Sequence, residues 1–539
     1  MPSTVVNPPT NHSLDPYSGP WTKKEAAHLL RRTLFGLTFE QLQNAVANGL
    51  DATIDTLLTH QGSSDLPLTF DPAEPVSQVG EPWNTSVYPS DPTLAATVAE
   101  IRAKSLGAWM MKNLNNEGMS ITQKMCLFWH NHWAAELSGD MRSTLSYYLL
   151  IRDFALGNFK EFVKQMTINT CMLEFQDGAT NTVYSPNENY AREFLELFTI
   201  GKGIQVGPGD YSNYTEEDVA AGAKIFTGYT IQGLLSDTQS TVNAVFYPIL
   251  HDNSTKQLSH RFDNATIAGN DGDEFKDYID VVFQQEEVAR FISRKLYRYF
   301  VNSDLTTEVE DNIIPAMAAI MVANDYEIKP VLEALLKSQH FYDVNLIGSC
   351  IRSPLEMLFS MINTTHSSID FDIPTSYEMY MNLYGLGDSL GQSYGMPPSV
   401  SGWQAYYQAP AFTKLWVNST HIRTRMSLIY FFTQTDGLEV NGNFFKVNGL
   451  GFLDSLSNPS NANDVIDDMI AVMMPKPLTA TKRLTLKYIL LGGQPDFEWT
   501  VQYNEYLANP GNPSYYLPMK QKVETTLLQL CIMPEYQTF

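Results

Sequence analysis

The chain has 539 residues and a mass of 60.7 kDa, and its 35 basic and 59 acidic side chains leave a formal net charge of −24. That acidity excludes a broad basic face for gripping phosphates of nucleic acid and argues against docking on an anionic membrane surface. Hydrophobic residues at 44% with charged residues at 17% belong to a folded chain, not a disordered one.

Residues 1–20, rich in Pro, Asn and Ser, read as a disordered or wrapping arm. From Trp21 the pattern is helical: Thr22 can cap a helix carrying Ala26, Leu29, Leu30 and Leu34, and further helices are expected over 38–47 and 52–59. The Pro-, Ser-, Asp- and Gly-containing stretch 61–92 predicts a long surface loop. Helical patterns follow at about 93–116, 119–137, 141–156, 158–166 and 187–200. Residues 201–275 are loop-rich, with one helix at 216–226 and two short extended segments, 228–232 and 242–247. Helices resume over 275–284, 286–301, 307–323 and 328–338 and after Pro354, then a Gly/Pro/aromatic loop spans about 385–412. The part from about 420 is again helical, broken by an Asn/Gly stretch at 436–464. The expected fold is mainly α: a large multi-helix domain with irregular loop-rich insertions and a few short strands.

Cys126, Cys171, Cys350 and Cys531 lie far apart without CxxC spacing, so they read as buried small hydrophobes. No stretch approaches the roughly 18 unbroken apolar residues of a membrane span. Met1–Pro20 holds no basic segment followed by an apolar one, which makes the cytoplasm the default location. Gly387–Gly391 (GDSLG) fits the letters of a nucleophile elbow, but Tyr377–Tyr384 before it reads as helix where that chemistry needs a strand. Ser389 is therefore assigned to a glycine loop. Asp271–Glu274 reads as an acidic turn.

Two segments are chemically dense. Leu127–Trp133 (LFWHNHW) places two of the chain's ten histidines beside tryptophans. Residues two apart point about 200° apart on a helix, so His130 and His132 chelate one ion only where the helix ends or distorts. In Pro186–Leu197 (PNENYAREFLEL), Tyr190, Phe194 and Leu197 form an apolar face, and Asn189, Arg192, Glu193 and Glu196 a polar one. Glu193 and Glu196 at i,i+3 can offer two carboxylates to a metal or to acid/base chemistry, whereas a solvated face would pair Arg192 with Glu188 and Glu196. His251 and Asp252, with Lys256 nearby, form a third cluster. Two imidazoles with two or more carboxylates suit a divalent metal such as zinc, iron or manganese. The candidate metal set is thus His130, His132, Glu193 and Glu196, and the candidate catalytic set Glu193, Arg192, His251 and Asp252. The alternative is a buried polar network that ties helices together.

These residues also carry a resemblance. LLRRTLFG (29–36), LFWHNHW (127–133), PNENYAREFLELFTIG (186–201), YTEEDVAAGAKIFTGY (214–229), HDNSTK (251–256), ARFISRKLYRYFV (289–301) and MPPSVSGW (396–403) resemble, in this order, the bacterial family catalogued as domain of unknown function 1800. The matching motifs run over about 21–430, and residues 431–539 are expected to pack on the same domain. The family brings no settled activity. Its members are often encoded beside phosphatase- or sulfatase-like proteins, and many look exported, so the resemblance implies such a partner and a cell-surface location as the alternative to the cytoplasm. Two functions stand: a metal-dependent enzyme, hydrolytic or oxidative, at the His/Glu site, or a non-catalytic scaffold for a phosphatase-like partner or a surface assembly. A weaker third is glycan stacking by Trp403, Tyr406, Tyr407 and Phe412.

Overall fold

Thr22 opens the first helix, Lys23–Thr33, with a reciprocal cap in which Glu25 reaches back to the Thr22 N–H. Thr38 and Gln41 repeat the device for Phe39–Leu57. The two helices expected over 38–59 are joined across Gly49, whose φ of 84° kinks the axis. The computed structural model describes residues 8–61, 65–137, 139–269 and 271–539. Among them are 21 α-helices and four two-stranded antiparallel pairs. With 56% helix and 6% strand, the fold is mainly α. No helix among the described residues is long and apolar enough to cross a membrane.

One apolar cluster runs from Ala26 to Tyr536 and takes in Trp83, Trp129, Trp133 and Trp499. All four cysteines are buried within the chain. The stretch expected as a surface loop behaves differently. Residues 62–64 lie outside the described residues, but beyond them the chain turns inward. Trp83 is fully buried and its indole N–H donates to Ser105 Oγ at 2.8 Å. Glu74 and Arg102 form an ion pair at 3.1 Å with both side chains buried, and Arg102 also donates to the Ser86 and Val87 carbonyls. Buried charges persist where such extra hydrogen bonds satisfy them. Composition alone does not reveal that arrangement.

The segments 228–232 and 242–247 pair as Tyr229–Gln232 with Asn243–Phe246, from Tyr229 opposite Phe246 to Gln232 opposite Asn243. An isolated hairpin is marginal in water. Here the turn region is held by Arg142, which donates to the Gly233 and Gln239 carbonyls, and by Asp140, which accepts from the Leu235 N–H.

Residues 1–7 of the N-terminal arm lie outside the described residues. From Pro8 the arm lies along the segment after Ile328–Lys337: the Thr10 and Asn11 N–H groups and the Thr10 hydroxyl donate to Asp343 Oδ2 at 2.6–2.9 Å. Tyr17 N–H donates to the Lys337 carbonyl. Asp343→Ala should leave those donors without their acceptor, a local cost of about 1–3 kcal/mol. Hydrogen exchange should show faster exchange at Thr10 and Asn11 with protection in Thr122–Trp133 unchanged.

Candidate functional site: a cation-lined cavity

The histidine helix, Thr122–Trp133, ends at Ala134, whose φ of 48° is left-handed. Both histidines sit in its last turn and are buried, but they face different neighbours. His130 Nδ1 lies 3.0 Å from the Tyr147 hydroxyl, while Nε2 accepts from the Gly395 N–H at 3.2 Å and lies 3.3 Å from the Tyr148 hydroxyl. Burial pushes the His130 pKa down to about 3, so the ring is neutral. Between the histidines, Asn131 Oδ1 accepts from the Trp403 N–H at 2.9 Å. Gly402 makes that approach possible, because a Cβ there would overlap Asn131.

His132 points the other way, toward the second dense segment. That segment begins as the helix Asn189–Glu193 and widens into a π-helical turn, Phe194–Thr199, where the Ile200 N–H reaches the Leu195 carbonyl. Carbonyls near such a terminus need outside partners. Phe198 O accepts from His132 Nε2 at 3.1 Å, and Leu197 O accepts from Lys295 Nζ at 2.9 Å. A carbonyl only accepts, so His132 carries its proton on Nε2 and presents a lone pair at Nδ1. Lys295 Nζ lies 3.0 Å from that Nδ1. Burial, with Lys295 adding to it, holds His132 well below the ordinary imidazole value. Burial, then Arg298, pushes Lys295 down to about 7.

The polar face of the second segment pairs with loops instead of with itself. Arg192 forms a bidentate contact with Glu216 at 2.7 and 2.8 Å and also reaches Glu188 at 3.0 Å. Glu196, which a solvated face would pair with Arg192, binds Lys202 at 3.0 Å and the Tyr214 hydroxyl at 3.0 Å. Glu193 is half-buried, and burial together with the neighbouring Glu196 raises its pKa.

His251 donates from Nδ1 to the Thr227 carbonyl at 2.9 Å and lies 3.3 Å from Glu274, which also binds Lys256 at 2.6 Å. Glu274, expected in an acidic turn, is therefore buried in an ion pair. Asp252 accepts from the Ser254 N–H at 2.8 Å. Ser389 is the last residue of the helix Ile373–Ser389 and donates its hydroxyl to the Leu386 carbonyl. Trp403 and Phe412 are buried, whereas Tyr407 is exposed.

His130, His132, Glu193 and Glu196 do not assemble into a ligand set. Among the described residues no group of three or more His, Cys, Asp or Glu side chains is arranged to hold a metal ion. The reason is geometric: the helix end leaves the two imidazoles diverging, and their nitrogens are committed to Tyr147, Gly395, Phe198 and Lys295.

What does converge is a cavity of about 280 Å³. Asn131 and His132 reach it from the histidine helix, Glu196 from the π turn, Lys295 and Arg298 from the helix Glu286–Phe300, and Ser401 from the loop before Trp403. Phe128, Phe291, Tyr299 and Tyr407 supply aromatic wall. The catalytic residues expected from sequence, Arg192, Glu193, His251 and Asp252, are absent from this lining. Arg294 is neutralised by Glu287 at 2.6 Å and Glu310 at 2.8 Å. Among the described residues Lys295 and Arg298 form no ion pair with a carboxylate. The Arg298 guanidinium lies 5.5 Å from the Phe412 ring, its Nε is buried without a hydrogen-bond partner among the described residues, and burial lowers its pKa. The Tyr299 hydroxyl is likewise buried without a hydrogen-bond partner among the described residues.

Lys295 and Arg298 are functional candidates that motif reading passes over. The signal lay in helical spacing: Phe291 and Tyr299 flank Lys295 at i±4, and Arg294 and Asn302 flank Arg298. Neither cation has a carboxylate one turn away, unlike Arg290, which pairs with Glu286.

A mainly α chain with a cation- and aromatic-lined cavity at the meeting of its helices defines the class. The chain belongs to the family described as "Protein of unknown function (DUF1800)", whose model matches residues 28–538. No curated protein and no solved structure matches it.

Proposed function

We propose that the chain binds a small organic anion in the cavity of Lys295 and Arg298 and acts on it by proton transfer or nucleophilic chemistry. One observation carries this reading: four of the segments that bear the family resemblance, 127–133, 186–201, 289–301 and 396–403, meet at one cavity whose two basic side chains, Lys295 and Arg298, form no ion pair with a carboxylate among the described residues. A partly buried guanidinium such as Arg298, which stays charged, favours the arrival of a counter-charge. The aromatic walls suit the apolar body of the ligand, and a volume of about 280 Å³ suits a small molecule. Arg298 is assigned the anionic group, for its guanidinium can take a carboxylate or phosphate in bidentate fashion. His132 is a positioning residue that fixes the Lys295 amine.

Calorimetric titration with a panel of small carboxylates and organic phosphates tests the proposal. Arg298→Leu should weaken binding at least tenfold, about 1.4 kcal/mol, with little change in Tm. Absence of binding by any member of the panel would refute it.

A second reading, contact with a protein partner, has its own support. On Ala480–Leu491 the side chains of Leu484 and Tyr488 are exposed one turn apart, and on Asp496–Ala508 so are Phe497 and Val501. Exposed apolar groups of this size suit an interaction surface. The partner proposed is the phosphatase- or sulfatase-like protein that the family resemblance suggests, and co-elution of the two purified proteins is the test.

A further inference from the structure

The Lys295 amine has a geometry that binding alone does not require. A neutral primary amine has two N–H bonds and one lone pair. Lys295 Nζ has two acceptors within reach, Leu197 O at 2.9 Å and His132 Nδ1 at 3.0 Å. When both accept, the two N–H bonds are spent on protein atoms, and the remaining tetrahedral position is the lone pair. His132 can serve as an acceptor because its own proton is committed to Phe198 O at 3.1 Å. Lys295 lines the cavity, beside the aromatic face of Phe291 at 4.6 Å. The other charged or titratable groups on that wall are Glu196, Arg294, Arg298, Tyr299, Tyr406 and Tyr407. Glu196 is engaged by Lys202 and Arg294 by two glutamates, whereas Arg298 carries no ion pair among the described residues.

We infer that Lys295 is a covalent nucleophile that forms an imine with a carbonyl compound bearing a carboxylate, the carboxylate being held by Arg298. This deepens the proposed function and rests on it. The Nζ lone pair attacks the carbonyl carbon, a C–N bond forms, and the carbonyl π electrons move to oxygen. Both amine protons leave with that oxygen as water, and the C=N bond closes. No oxidant, metal or cofactor enters the balance, and hydrolysis reverses it. The depressed basicity of Lys295, due to burial and to Arg298, leaves a substantial neutral fraction near neutral pH. A 2-oxo acid has both required groups, a carbonyl for Lys295 and a carboxylate for Arg298.

The experiment uses the full chain with glyoxylate, pyruvate and phenylpyruvate in the presence of sodium cyanoborohydride, followed by intact mass measurement and peptide mapping. The expected result is saturable labelling approaching one adduct per chain, located at Lys295 and formed at least tenfold faster than at the exposed Lys476. Lys295→Met should abolish that adduct while leaving slow surface labelling. Labelling at Lys295 no faster than at Lys476 would overturn the inference, and because this comparison is made within the unsubstituted chain, it does not depend on the variant folding. Calorimetry with the matching 2-hydroxy acids separates the two proposals. Binding of a hydroxy acid without trapping of its oxo partner removes the nucleophile and keeps the anion site; no binding and no trapping removes both.

Discussion

Glu356→Gln should destabilise the chain by about 3–5 kcal/mol, the cost of leaving a buried cation without its partner. Lys124 Nζ lies 2.5 Å from Glu356 Oε1, and both residues are buried. Glu356 also accepts from the Ser353 N–H at 2.7 Å, and its neighbours Arg352 and Arg425 are buried cations. The substitution therefore removes the acid from a cluster that keeps its positive charge. Urea unfolding followed by tryptophan fluorescence should show the midpoint fall with little change in slope. A Lys124→Met/Glu356→Leu double variant should recover much of the loss, because apolar side chains of similar size replace the whole pair.

The pH dependence has a defined sign. Burial alone would raise the Glu356 carboxyl, but Lys124 and Ser353 more than offset this and hold it below its ordinary value of 4.5. A carboxyl depressed in the folded state contributes stability above its unfolded pKa and loses it as pH falls through the folded value. The difference between the natural chain and Glu356→Gln should thus be full near neutral pH and shrink below about pH 4.5.

Trp129→Ala carries the second large effect, a loss of about 3–5 kcal/mol for emptying a fully buried aromatic site. The indole stacks on Phe159 with ring centroids 5.3 Å apart and an interplanar angle of 9°, and its N–H donates to the Ala155 carbonyl at 3.1 Å. Its ring also meets His132 at 5.4 Å, edge to face. The variant should therefore lose stability and also weaken ligand binding at the cavity, since His132 loses a wall. An equal-stability control, such as a truncation in the core around the fully buried Trp499, should lower the urea midpoint without altering affinity.

Much of the fold is legible along the chain because helical periodicity and caps are local. Thr22 caps the first helix and the next begins beside Thr38, as expected, and the pattern at 93–116 becomes Pro92–Asn116. Where a few residues act over distance, local reading misleads. Residues 61–92 look like solvent-exposed loop until Arg102, from another element, supplies Glu74 with a partner. The pattern over 187–200 promises one regular α-helix, and the π turn at Phe194–Thr199 shifts its register, so Glu196 meets Lys202 and Tyr214 instead of Arg192.

The site divides in the same way. His132 and Glu196 were legible as chemically dense positions, and both line the cavity. The metal grouping was not realised, because residue type and spacing say nothing about which acceptor or donor a nitrogen will find. Lys295 and Arg298 went unassigned because their proposed role depends on their forming no ion pair with a carboxylate among the described residues, which is visible only once the neighbouring helices are in place.

The acidity, the helical periodicity and the family motifs were determined by the sequence itself. They set the net charge, define a mainly α chain and mark the segments that matter. Tertiary structure alone decided how those segments meet: His130 turned toward Tyr147 and Tyr148, His132 toward the end of the π turn, and the partly buried Lys295 and Arg298 placed at one cavity in a chain of net charge −24. Periodicity is a property of neighbours along the chain, whereas hydrogen-bond partnership and desolvation depend on groups scores of residues apart, such as Leu197 and Lys295.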